Sequence, residues 1–437
     1  MITEKAICNA LKSIIDPDFK KDIVSLGFVK NILIREKKVS FDIELTTPAC
    51  PIKEEFKKAA EKAVIGLEGV EEVVVTMTAS KKKTSPMHQN SGLKSVKTIL
   101  AVSSCKGGVG KSTIAGHLAE EIAGRGFKVG LLDADLFGPS IPILFNLHNI
   151  KISVQNQKYV PVEKNGLKLM SFGFLLGDSP AVMRGPMVSN YIQQLLHNVQ
   201  WGELDYLLID LPPGTGDIQL TITQSVKLDG AIIITTAQSL ALADVAKGIL
   251  MFEKVNVPML GIIENMSYFA CDNCGKKHFI FGSNGNSQLT DRFGLETLSW
   301  LPLDPDFASK LIKKEENGLI KAAADKVIMA LGKSSIKNAV TPTVSFNDEE
   351  MIFKWPDGKV SVISNFDLRL SCRCANCIDE MSGKQILKKE DIPTNVKAEE
   401  VIPLGNYAIS IKWSDGHNSG IYPYKGITDM PQHLTTK

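Results

Sequence analysis

The sequence predicts an α/β protein in three parts: a central domain on a mostly parallel sheet, a small α+β domain before it and a small β-rich domain after it. Three observations carry this. First, short apolar runs recur from Val96 to about Leu331: "TILAVSS", "KVGLLDAD", "YLLIDLP", "GAIIITT" and "MLGIIENM". Each is followed by a helical or loop stretch. Apolar runs without alternation, separated by helices, mark parallel strands covered on both faces. Second, the aperiodic, basic and polar stretch "KKKTSPMHQNSGLKS" at 81–95 reads as a linker. Third, beyond "GKSSIKNAVTP" a weak repeat appears, "MIFKWPDGKVSVIS" against "SIKWSDGHNSGIYP".

The parts are therefore placed at 1–80, 96–334 and 341–425. In the first, a helical pattern covers 3–15, strand-like runs "DIVSLGFV" and "KVSFDIEL" follow, a helix covers 52–65 and a strand "EEVVVTM" closes the unit. In the third, each copy of the repeat predicts a β-hairpin turning at Asp-Gly.

The 437 residues carry 50 basic and 48 acidic side chains, a net charge of +2. That balance argues against bulk nucleic-acid or membrane-surface binding. No apolar run approaches the roughly 20 residues that span a bilayer. The start, "MITEKAICNALKSIID", lacks the apolar core of a secretory signal and the Arg/Ser richness of a transit peptide, so a cytoplasmic location is expected. Five of the eight cysteines fall in two tight clusters, a pattern of metal binding in a reducing compartment rather than of disulfides.

The stretch "VSSCKGGVGKSTIAG" sits between a buried strand and a helix, the context of a phosphate-binding P-loop. Gly107, Gly108 and Gly110, with Val109 between them, let backbone amides approach phosphate oxygens. Lys111 would reach the β- and γ-phosphates, Ser112 would ligate Mg²⁺ and Thr113 continues the loop into the helix. Cys105 stands where the standard pattern has glycine. The pattern K-G-G-V-G-K-S resembles the deviant Walker A loop of the MinD-like ATPases. The resemblance implies that Lys106 crosses a homodimer interface to nucleotide on the other subunit, acting as an arginine finger does. It also implies that Asp135 positions the attacking water, that Asp133 helps hold the Mg²⁺ environment and that Asp210, in "YLLIDLPPGTGD", is the Walker B acid binding Mg²⁺ through water. Asn265, in "IIENM", matches the position that hydrogen-bonds adenine.

In "YFACDNCGKKHFIFG", Cys271 and Cys274 supply two thiolates where a metal centre wants about four ligands. Three completions stand open: His278 and another local group around zinc, a redox dithiol, or an identical pair from a second subunit. In the last, four thiolates hold one 4Fe–4S cluster at a dimer interface. Residues 96–331 resemble the Mrp (ApbC-like) branch of these ATPases through "CKGGVGKST", "DADLFGPS", "MRGPMVS", "DLPPGTGD", "ENMSYFACDNCG" and "LPLDPD". Ala237 departs from the family's usual proline. The resemblance implies an ATP-hydrolysing iron–sulfur carrier that takes clusters from assembly scaffolds to apoproteins.

The first unit resembles SufT-like cluster-assembly domains in "DPDFKKDIVSLGFV" and "LTTPACP", where Cys50 precedes a helix and has either a metal-handling or a packing role. The third holds "LSCRCANCIDE", with Cys372, Cys374 and Cys377, and His417 in the second hairpin. It resembles the N-terminal domain of gamma-butyrobetaine hydroxylases, whose matching residues bind zinc; iron–sulfur binding and free thiols are the alternatives. Two rival functions are a MinD-type spatial switch, which predicts a membrane helix or basic surface, and a zinc-stabilised interaction protein without cluster chemistry.

Overall fold

A computed structural model describes residues 2–17, 21–45, 53–79, 92–148, 150–176, 185–282, 287–313, 317–335, 341–356, 358–374, 376–379, 384–404, 408–428 and 430. Cys50 and most of the linker lie outside them. The chain divides into two compact units, residues 1–83 with 325–340, and residues 84–324 with 341–437.

In the first unit, helix α1 (Glu4–Leu11) starts at Thr3, whose hydroxyl accepts the Ala6 N–H at 3.2 Å. Strands β1 (Val29–Arg35), β2 (Lys38–Leu45) and β3 (Glu72–Ala79) form one sheet in that order, β1–β2 antiparallel and β2–β3 parallel. Helix α2 (Lys53–Ile65) makes the crossover. Strand β2 alternates as its sequence requires: Val39, Phe41, Ile43 and Leu45 are buried with Ile7, Leu11, Phe56, Ala60 and Val64 in a core of their own. "DIVSLGFV" is mostly turn, not strand. The Asp22 carboxylate accepts the N–H groups of Val24 and Ser25, at 3.1 and 2.8 Å, and Gly27 turns the chain with φ +72°. The strand begins only at its last residue, Val29.

The second unit is built on a nine-stranded sheet. Its seven parallel strands run in the order β7 (Leu167–Ser171), β5 (Val129–Asp133), β8 (Leu204–Asp210), β4 (Val96–Ser103), β9 (Gly230–Thr235), β10 (Met259–Ala270) and β12 (Thr297–Pro302). Antiparallel β6 (Val162–Lys164) edges the sheet beside β7, and antiparallel β11 (Lys277–His278) pairs with the last residues of β10. Helices α3 (Lys111–Gly124), α4 (Gly185–His197), α5 (Asp217–Ser225), α6 (Ser239–Lys254) and α7 (Ser287–Phe293) connect them. The strand centres are apolar throughout, as burial on both faces demands; Ile99 to Val102 are at most 2% exposed.

The C-terminal elements repeat one motif twice. Strands β13 (Thr343–Phe346), β14 (Glu350–Lys354) and β15 (Val360–Ser364) form an antiparallel sheet followed by helix α8 (Asn365–Leu370). Strands β16 (Ala398–Leu404), β17 (Ala408–Trp413) and β18 (Gly420–Pro423) do the same before helix α9 (Tyr424–Thr428). The two hairpin tips match bond for bond: Trp355 N–H donates to Lys359 O and Trp413 N–H to His417 O, both at 2.8 Å. Gly358 and Gly416 take the left-handed conformation there. Both Asp-Gly hairpins are thus formed where the repeat placed them. The two halves share one core around Phe353, Leu368 and Trp413, and β18 packs on α7, where a Cβ on Gly294 would lie 2.6 Å from Pro423.

Beneath the phosphate loop, one pair of residues accommodates the departure at Cys105. A Cβ on Gly248, mid-way along α6, would lie 2.4 Å from the Cys105 sulfur. Burial pushes this thiol up to about 12, so it packs as a neutral side chain. Glycine inside a helix costs about 1 kcal/mol against alanine; here it makes room for a side chain where the usual loop has none. Gly248→Ala should therefore destabilise the chain by about 1–3 kcal/mol through overpacking. Cys105→Gly in the same chain should recover that loss. Urea unfolding of the two single variants and the double variant checks this, and a double variant no better than Gly248→Ala would refute the pairing.

Candidate functional site

The carboxyl ends of β4, β5 and β8 place the charged groups. Register sets Asp210 beside Asp133 and opposite Val102, so two carboxylates end adjacent strands where the phosphate loop begins. Both are fully buried. Burial pushes each above the usual carboxylate range, Asp133 to about 7, with the Asp210 charge adding to the shift; Lys111 opposes it in Asp210.

Each carboxylate is held differently. Asp133 accepts four hydrogen bonds, from the N–H groups of Asp135 (3.1 Å), Ser140 (2.9 Å) and Ile141 (3.1 Å) and from the Ser171 hydroxyl (3.0 Å). It ties the loop after β5 to the neighbouring strand. Asp210 instead forms a short ion pair with the buried Lys111 ammonium, which also lies 3.3 Å from the Ser112 hydroxyl. The second Asp210 oxygen, Oδ2, is buried with no hydrogen-bond partner among the described residues. An orphaned carboxylate oxygen beside a serine hydroxyl suits a hard cation such as Mg²⁺.

The loop itself bends through left-handed Gly108 and Gly110 (φ +77° and +83°). Gly110 caps α3 without a side-chain hydrogen bond, leaving the first-turn amides for an anion. A cleft of about 510 Å³ opens above it, lined by Lys106 to Thr113, Asp135, Ile143, Pro213 and Met266 among others. Asp135 reaches this cleft while its Oδ1 accepts the Phe137 and Gly138 N–H groups. Gly214 N–H donates to Ser104 O at 2.9 Å, which ties the "PPGTG" turn to the loop.

Three placements were not legible in the motifs. Asn265 is 4% exposed and lies under the loop, its Nδ2 donating to Val109 O at 2.9 Å. A Cβ on Gly110 would meet that nitrogen at 2.4 Å, so the close approach requires glycine. An adenine contact would require this amide to be shared. Lys106 pairs within its own chain with Asp244 of α6 at 3.4 Å; an acid in the middle of "LADVAKG" carries no motif. Gln219 donates to Pro212 O and accepts from Ser103, bracing both loops from below. A glutamine one turn into a helix gives no signal of that.

Cys271 and Cys274 sit at the turn between β10 and β11, which pair through Phe269–His278 and Ala270–Lys277. Cys271 is half-buried and Cys274 exposed. Gly275 is left-handed (φ +70°), and its N–H donates to Cys271 O at 2.8 Å. Hydrogen bonds from the Asn273 and Cys274 amides draw the Cys271 thiol down, favouring thiolate. Among the described residues, neither His278 nor any other His, Cys, Asp or Glu side chain completes a ligand group with this pair.

The C-terminal cysteines are different. The sulfurs of Cys372, Cys374 and Cys377 and a His417 nitrogen lie within 4.8 Å of one another. His417 Nε2 is 3.2, 3.6 and 3.9 Å from the three sulfurs in turn. The cysteines leave the end of α8 in the first repeat; the histidine comes from the hairpin tip of the second. Arg369 links the two, donating to Asp415 at 2.8 Å and to the Cys377 sulfur at 3.5 Å, while Asp415 accepts the His417 N–H. Three buried sulfurs and one imidazole are the donor set of a closed tetrahedral zinc site.

Known proteins resemble this chain over nearly its whole length. The family described as NUBPL iron-transfer P-loop NTPase matches residues 95–338. An iron–sulfur cluster assembly protein family matches 4–75, and the gamma-butyrobetaine hydroxylase-like N-terminal family matches 343–427. The chain is 42% identical over 458 residues to "Fe-S cluster assembly factor HCF101, chloroplastic" of Oryza sativa subsp. japonica, covering 99% of this chain and 85% of that protein. It is 42% identical over 310 residues to "Iron-sulfur cluster carrier protein" of Synechocystis sp., covering 70% of this chain and 88% of that one. A solved nucleotide-binding protein in complex with ADP from Archaeoglobus fulgidus is 40% identical, with a TM-score of 0.46 over 56% of this chain and 93% of that chain. No described helix is long and apolar enough to cross a membrane. The chain belongs to the NUBPL iron-transfer P-loop NTPase family, with a cluster-assembly domain before the NTPase and a hydroxylase-like N-terminal domain after it.

Proposed function

We propose that this protein is an ATP-hydrolysing carrier that holds a 4Fe–4S cluster between two copies of itself and hands it to apoproteins. The observation that carries this reading is the pair Cys271 and Cys274: one half-buried and one exposed thiol on a single hairpin, with no further ligand among the described residues, in a chain of the iron-transfer family. Four thiolates are needed, and a two-fold axis supplies them from two identical pairs.

ATP binds over the loop, with its phosphates on the amides of Gly107 to Thr113 and on Lys111. Bound Mg²⁺ would be held by Ser112 and, through water, by Asp210, and would neutralise charge on the phosphates. The Lys111–Asp210 ion pair makes this an exchange. Lys111 turns from carboxylate to phosphate and Asp210 from ammonium to the cation, so neither buried charge is left uncompensated. Asp135, anchored by two amides at the mouth of the cleft, orients the attacking water. Asp133 keeps the segment carrying Asp135 in place, and Asn265 braces the loop. Lys106 leaves Asp244 for the partner's nucleotide, where its charge stabilises the transferring phosphoryl group. Nucleotide state thereby sets the interface that holds the cluster. Cys372, Cys374, Cys377 and His417 would hold zinc, which pins the two C-terminal repeats together.

Anaerobic purification should give about one 4Fe–4S cluster per dimer, by iron and sulfide analysis. Cys271→Ala should abolish the visible absorption and keep ATPase activity; an unchanged chromophore would move the cluster elsewhere. Lys106→Gln should bind nucleotide normally yet hydrolyse it at least roughly tenfold more slowly, while Lys111→Ala should lose nucleotide binding itself. For the C-terminal centre, elemental analysis should find about one zinc per chain. His417→Ala should lower zinc affinity and make the three cysteines alkylatable, with the N-terminal unit unaffected in its melting.

A further inference from the structure

The carboxyl edge of the central sheet carries more than its charged groups. Large apolar side chains are exposed all along it. Phe137 and Ile143 are 62% and 64% exposed in the segment following β5. Trp300, 49% exposed, lies opposite Glu264 in the β10–β12 register. Phe279, Ile280 and Phe281 are 47%, 61% and 38% exposed and directly follow β11, the return strand of the cysteine hairpin. Scattered single exposures are ordinary, but three consecutive ones on the return arm of the cysteine hairpin, with Phe279 leaning on Tyr268 at 6.0 Å between ring centroids, are of the kind that marks an interaction site.

We infer that Phe279, Ile280 and Phe281 are the apolar seal of the cluster site, buried against the same residues of a second copy of this chain. The inference rests on the shared-cluster reading and names the surface that closes it. A two-fold axis through the cluster sets this hairpin, and with it the strip on its return arm, facing the same hairpin of the second copy. The occupant is a second copy because, among the described residues, the pair has two ligands of the four a cluster needs, and an identical pair completes the set symmetrically. The contrast within the chain supports this. The buried C-terminal cysteines have Trp413, Tyr422 and Leu368 around them from their own domain, whereas Cys274 is exposed. An apolar shell controls solvent access to a metal centre. Beside the strip, the Lys277 ammonium lies 4.4 Å from the centroid of the Tyr268 ring, a cation at the margin of a site whose thiolates carry negative charge.

The test uses the full chain, reconstituted anaerobically with iron and sulfide in the presence of ATP, and measures the dimer by sedimentation. Fluorescent ATP-analogue binding controls for folding. Phe279→Ser with Phe281→Ser should raise the dimer dissociation constant at least tenfold and speed the bleaching of the visible absorption in air, with analogue binding unchanged. Ile280→Asp, at the most exposed of the three positions, should do the same without disturbing the interior. Wild-type dimerisation and bleaching rates in both variants would overturn the seal. Intact dimers with slowed transfer to an added apoprotein would also overturn it, placing the acceptor on this strip. A wild-type chain that stays monomeric while holding its cluster would instead sink the shared-cluster reading itself.

Discussion

The buried ion pair between Lys111 and Asp210 is the constraint from which the nucleotide site follows. Parallel strands bring their carboxyl ends to one edge, and the register of β5 and β8 puts Asp133 and Asp210 side by side without solvent. Two such carboxylates are stable only if each is compensated. Asp133 is compensated by four fixed donors, three of them backbone. Asp210 is held by side chains alone, chiefly the lysine that the phosphate loop places over it and also Ser112, and has one oxygen without a partner among the described residues. A fixed carboxylate shapes the loop around itself; one held by a movable cation can change partners. Two aspartates of similar sequence context therefore divide into a structural and an exchangeable acid.

Much of this was legible in the sequence, because its signals are local. A phosphate loop is a continuous run of residues between a strand and a helix, and the cysteine pair and its glycine occupy a single turn. The C-terminal repeat could be read because both halves keep Trp, Asp and Gly at the same spacing, and the hairpins register identically. The matching tips set Lys359 against His417, so the second half supplies the imidazole.

What escaped were long-range contacts and competing local bonds. Gly248 is separated from Cys105 by more than the length of two strands and their helices, so nothing near either residue predicts their fit. Asn265 lies within β10, where nothing in its neighbours singles it out, and its bond to Val109 exists only because β10 pairs with β9, which in turn pairs with β4. "DIVSLGFV" has the composition of a strand. One aspartate side chain nevertheless takes the amides that a ladder would need, and the chain turns.

The two cysteine centres show how one ligand type serves opposite purposes. At the C-terminal centre the ligands come from both repeats, are buried, and receive further bonds from Arg369 and Ser419. Releasing a metal there means separating the two halves of a core. At the hairpin, both sulfurs come from four consecutive residues; on the shared-cluster reading proposed above, losing a metal would require only that the facing copy withdraw. The proposed cargo site would thus be the one that opens without disturbing a core. The proposed zinc centre would instead be the one that pins two halves of a small core together.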